Sequence, residues 1–81
     1  MRYALLLDDD PDIRMIVGAV LTRLGYKVIA AGSVRQAKQL LSAGPAPILA
    51  VLDYNLPDGT GPQLAVLLRD SFGQGIRMIS M

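Results

Sequence analysis

The chain has 81 residues, room for one small domain, with eight Lys or Arg against seven Asp or Glu and a formal net charge of +1. It contains neither His nor Cys, which excludes most zinc sites, a disulfide framework, thiol chemistry and a His-based triad. The near-neutral balance, with Arg2, Arg14, Arg23, Arg35 and Arg69 scattered rather than aligned, argues against a nucleic-acid or membrane-surface binder.

Tyr3 to Leu7 is a short continuous apolar run, the pattern of a strand buried on both faces of a parallel sheet. Asp8-Asp9-Asp10 breaks it, and Pro11 suits a first helical position with Asp10 as its N-cap. Ile13, Ile16, Val17, Val20, Leu21 and Leu24 then follow at helical spacing, so one apolar stripe is expected to enter the core. Gly25 stands where a glycine ends such a helix. Val28 to Ala31 is a second predicted strand. Ser33 and Gln36 form a capping-box pattern ahead of a helix carrying Val34, Ala37, Leu40 and Leu41, which Gly44-Pro45 stops. Ile48 to Leu52 is a third apolar strand ending at Asp53. The stretch from Asn55 to Gly61 is dense in turn residues and is expected to be a loop, with Asp58 and Gly59 serving turn chemistry. Leu64, Leu67 and Leu68 mark a third helix ending near Gly73, and Ile76 to Ser80 a fourth strand.

Strand and helix alternating with short connections is the signature of an α/β parallel sheet in one domain, residues 1–81. In such a sheet the functional crevice lies at the carboxyl ends of the strands. Asp8, Asp9 and Asp10 follow the first strand and Asp53 the third. If those strands are neighbours, the carboxylates converge, and two like charges about 4 Å apart repel by roughly 4 kcal/mol at an effective dielectric of 20. A hard divalent cation offsets that directly, and oxygen ligands with retained waters suit Mg²⁺. Asp10 and Asp12 are also well placed simply to favour a helix N-terminus.

Two stretches carry a resemblance. Leu5-Leu6-Leu7-Asp8-Asp9-Asp10-Pro11-Asp12-Ile13-Arg14 resembles the opening of a two-component response-regulator receiver domain, and Val51-Leu52-Asp53-Tyr54-Asn55-Leu56-Pro57-Asp58-Gly59-Thr60-Gly61 resembles the segment around that family's phosphorylated aspartate. The resemblance covers the whole chain. It implies a doubly wound, flavodoxin-like sheet of strand order 2-1-3-4. Asp53 would be the phosphoryl acceptor. Mg²⁺ would be held by Asp8, Asp9, Asp53 and the Asn55 backbone carbonyl, and Ser80 would offer its hydroxyl to the phosphoryl group. The implied donor is a histidine kinase or phosphotransfer protein, the setting a cytoplasmic phosphorelay, and the activity at most self-catalysed phosphoryl uptake and loss rather than enzymic turnover.

The chain also departs from the family pattern. Receivers have five strands and five helices; these 81 residues stop short of the fourth helix, fifth strand, fifth helix and the Lys at the end of the fifth strand, so an incomplete receiver without an output domain is expected. Lys27, ahead of strand two, and Lys38, within helix two, are not placed to replace that Lys. In the family, helices one and five share a face of the sheet. Without the fifth helix, part of the sheet beside the stripe on helix one is expected to be bare, and without the fifth strand the fourth becomes an unpaired edge, so the chain is expected to self-associate or to be part of a longer protein. Two other functions compete. One is a receiver-like dimerisation module without phosphorylation. The other is an aspartate-nucleophile phosphatase built on the Asp8-x-Asp10 pattern, which would leave Asp53 without a role.

Overall fold

The computed structural model describes residues 2–80, with Asn55, Gly61 and Gln74 described by backbone alone. The first apolar run forms β1 (Tyr3–Leu7), and the acidic turn leads into α1 (Pro11–Arg23). Asp10 caps α1, its carboxylate accepting from the Asp12 N–H at 2.9 Å. At the other end Gly25, with φ of +95°, closes the helix as a Schellman turn: the Gly25 N–H donates to the Thr22 carbonyl and the Tyr26 N–H to that of Leu21. A side chain at that φ would be strained, so the glycine is a conformational requirement.

β2 (Lys27–Ala31) and α2 (Val34–Ala43) follow. Ser33 caps α2 as expected, accepting from the Gln36 N–H. The other half of the capping box differs: the Gln36 side chain reaches one residue further back, to the Gly32 N–H at 2.8 Å. β3 (Leu49–Leu52) leads to a segment that is more ordered than the expected loop. β4 (Asn55–Leu56) and β5 (Gly59–Thr60) pair as a small antiparallel hairpin. α3 (Gly61–Phe72) starts from a reciprocal capping box between Thr60 and Gln63. A short 3₁₀ turn then leads to β6 (Arg77–Ser80).

The main sheet is parallel with order β2-β1-β3-β6, so the fourth predicted strand is β6 and the doubly wound order holds. Its register places Ala31, Leu7, Leu52 and Ser80 side by side at the carboxyl edge. Alternate residues of the central strands feed two cores. Leu5, Leu7, Ala50 and Leu52 pack with Ala37 of α2 and Leu64 and Leu68 of α3; Ala4, Leu6, Leu49 and Val51 pack with Leu21 of α1. Each fully buried leucine contributes about 1.5–3 kcal/mol through removal of apolar surface from water. The central position of β1 and β3 is why their runs are apolar without alternation.

The stripe on α1 is only partly core, contrary to expectation. Leu21 is buried and Val17 half-buried against the sheet, but Ile16, Val20 and Leu24 are 58%, 52% and 62% exposed. Ile13 and Met15 are exposed as well, as is Ile79 on β6, which pairs with Val51 of the α1-side core. Leu21, Leu24, Leu49 and Ile79 border an open trough of about 620 Å³. Helical periodicity identified the apolar side of α1; nothing among the described residues covers most of it.

Candidate functional site

β1 and β3 are direct neighbours, and this adjacency builds the site. Leu7 and Leu52 are paired, and the Asp53 N–H donates to the Leu7 carbonyl at 2.8 Å, so the ladder continues one step past the strands and brings Asp53 alongside the turn after β1. Asp8 is buried, its N–H donating to the Ala31 carbonyl on β2 and its carboxylate accepting from the Asp10 N–H at 2.9 Å. Asp9 is exposed and Asp53 half-buried. One carboxylate oxygen from each of Asp8, Asp9 and Asp53 comes within 4.8 Å of the others. These are hard oxygen donors, gathered from two strand ends at the carboxyl edge, and they fit Mg²⁺ or Ca²⁺ chemistry rather than that of softer metals.

The remaining acids separate from this group. Asp10 caps α1, and the three acids that converge are Asp8, Asp9 and Asp53 rather than the Asp8-x-Asp10 pair on which the phosphatase reading rests. Ser80 closes the row at the carboxyl edge, in register with Leu52, the residue before Asp53. Lys27 begins β2, at the opposite end of the sheet from the acids, and Lys38 lies on α2 at its groove with α3. Neither belongs to the acidic group.

Asp58 does more than turn chemistry. From the β4–β5 hairpin its carboxylate accepts from the Val34 N–H at 2.8 Å and the Arg35 N–H at 2.9 Å, on the first turn of α2. It thereby ties the segment after Asp53 to a helix more than twenty residues earlier. Those two N–H groups, Arg35 first, hold the Asp58 carboxyl below its ordinary value. The free N–H groups of a helix start make this a favoured place for a carboxylate. A local sequence pattern carries no signal for a cap supplied from that distance, whereas the Thr60-x-x-Gln63 box was readable and was missed.

Residues 4–81 match the model of the response regulator receiver domain. The chain belongs to this family. The receiver is 35% identical over 73 residues to the response regulator protein PilR of Pseudomonas aeruginosa, covering 90% of this chain and 16% of PilR. It is 38% identical over 80 residues to the transcriptional regulatory protein AruR of the same organism, covering 94% of this chain and 33% of AruR. It thus spans a third or less of these curated relatives. Among solved structures, the response regulator TrrA of Thermotoga maritima in complex with Mg²⁺-BeF superposes with a TM-score of 0.79 at 28% identity, over 89% of this chain and 62% of that one. TrrA in complex with the histidine kinase ThkA superposes with a TM-score of 0.83 at 26% identity, over 99% of this chain and 67% of that one.

Proposed function

We propose that this receiver accepts a phosphoryl group on Asp53 from a histidine kinase or phosphotransfer protein of a cytoplasmic two-component phosphorelay. The observation that carries this is the convergence of Asp8, Asp9 and Asp53 at the carboxyl edge, with Asp53 projecting from the end of a central strand. Mg²⁺ is the cation of the proposal, held by Asp8, Asp9, Asp53 and the Asn55 backbone carbonyl. When bound, it neutralises charge on the equatorial phosphoryl oxygens. An Asp53 carboxylate oxygen attacks phosphorus, the bond from phosphorus to the donor's imidazole nitrogen breaks, and that nitrogen keeps the electron pair. The product is an aspartyl phosphate. The Ser80 hydroxyl, on the neighbouring strand end, is proposed to donate to a phosphoryl oxygen. That TrrA, a similar chain, forms complexes with Mg²⁺-BeF and with a histidine kinase supports this reading. The role is that of a signalling module, with any catalysis limited to its own phosphorylation and dephosphorylation.

A second reading, a receiver-like module that works by association without phosphorylation, is favoured by the exposed apolar face of α1 and β6. Acetyl phosphate with MgCl₂ separates the two. Phosphorylation should add the mass of one phosphoryl group to the intact chain, in an acid-labile linkage, and the addition should vanish in Asp53→Asn. Unchanged uptake by Asp53→Asn overturns the assignment of the acceptor; a folded chain that takes up none leaves the association module.

A further inference from the structure

We infer that Arg14 is a positioning residue for the acidic site, and that Gly32 is small in order to seat it. This rests on the cation reading of Asp8, Asp9 and Asp53. Arg14 lies on the first turns of α1, and its Nη1 donates to the main-chain carbonyl of Asp8 at 2.7 Å. That carbonyl belongs to the residue just past β1, where the ladder to β2 ends, and Asp8 itself is buried. A buried carbonyl without a partner is costly, and a charge-assisted bond is roughly twice as strong as a neutral one. With the Asp8 N–H on Ala31 and a carboxylate oxygen on the Asp10 N–H, the guanidinium completes a three-point hold on the residue.

The guanidinium occupies the space where a side chain at position 32 would begin. A Cβ built on Gly32 would lie 2.8 Å from Arg14 Nη1 and 3.5 Å from its Cζ. Gly32 does not have a positive φ, so its backbone alone does not call for glycine. Its N–H is pinned by the Gln36 side chain at 2.8 Å, so the backbone is held in place. An alanine there would displace the far end of a flexible arginine rather than the fold.

Two effects of Arg14 oppose each other, which makes the inference testable. As a positive charge near three carboxylates, it disfavours a cation; as a clamp on Asp8, it favours one by fixing a ligand. The inference is that the clamp prevails. Arg14→Gln and Gly32→Ala are each expected to weaken Mg²⁺ binding by about 10-fold, the lower end of the range for groups that orient metal ligands. The double variant should be no weaker than Arg14→Gln alone, because both lesions remove one contact. The measurement is calorimetric titration of the 81-residue chain with MgCl₂, beside a metal-free ¹H–¹⁵N spectrum. In that spectrum the Asp9 amide, which shares a peptide unit with the Asp8 carbonyl, should shift in the same direction in both single variants. Gly32→Ala should keep a thermal midpoint near that of the parent chain, which separates loss of positioning from loss of fold. Mg²⁺ binding by Arg14→Gln as tight as or tighter than the parent's, or additive losses in the double variant, overturns the inference. Absence of Mg²⁺ binding by the parent chain refutes the cation reading instead; an unmoved Asp9 amide then refutes the clamp independently.

Discussion

Replacing Asp53 by Asn should stabilise the metal-free protein while removing its response to Mg²⁺. Oxygens of Asp8, Asp9 and Asp53 lie within 4.8 Å of one another. At that separation two unit charges repel by about 0.9 kcal/mol in bulk water and about 3.5 kcal/mol at an effective dielectric of 20. Asp8 is buried, Asp53 half-buried and Asp9 exposed, so the true figure lies between those limits. Asp53→Asn keeps the side-chain shape and removes both of its repulsions. Allowing for relaxation of the exposed Asp9, the expected gain is about 1–2 kcal/mol, or a rise in Tm of roughly 5–15 °C for a domain of this size. The assay is thermal unfolding followed by circular dichroism, in EDTA and in MgCl₂. In MgCl₂ the parent chain should recover, since a ligand at 100 times its Kd stabilises by about 2.7 kcal/mol, and the difference should close or reverse. An Asp53→Asn protein no more stable than the parent in EDTA, or one with an equal Mg²⁺-induced shift, would refute the electrostatic reasoning.

Asp58→Ala should leave the main sheet intact but speed hydrogen exchange at the Val34 and Arg35 amides, which lose their acceptor; unchanged protection there would contradict the tie. Because the Asp58 carboxyl is held below its ordinary value of 3.8, its contribution is fully present above that pH and is lost as pH falls through the lowered folded value. In acid the parent chain should therefore lose protection at the start of α2, and Asp58→Ala should be insensitive over that window. The 81-residue chain taken alone should self-associate at micromolar concentration through the exposed face of Val20, Leu24 and Ile79 and the unshielded edge of β6, and Ile79→Lys should shift it toward monomer. Sedimentation equilibrium is the check, and a monomeric parent chain would show the expectation wrong.

Much of this protein is written locally. The alternation of apolar runs and helical stripes, the caps at Asp10 and Ser33, and the glycine at Gly25 depend on neighbours a few residues away. They were legible because their physics is local. The acids at the ends of β1 and β3 were also legible as positions, since an apolar run that stops at Asp8 or Asp53 marks a strand end. Whether they meet is a property of strand order, which their own residues do not carry; the pairing of Leu7 with Leu52 decides it. The same holds for the cap that Asp58 places on α2, and for Arg14 lying in the space Gly32 leaves, both made by residues far apart in the chain. The outer part of the α1 stripe makes the converse point. Periodicity states which side of a helix is apolar, but burial also needs an opposing surface. In the tertiary structure Leu21 finds one on the sheet, while Ile16, Val20 and Leu24 do not.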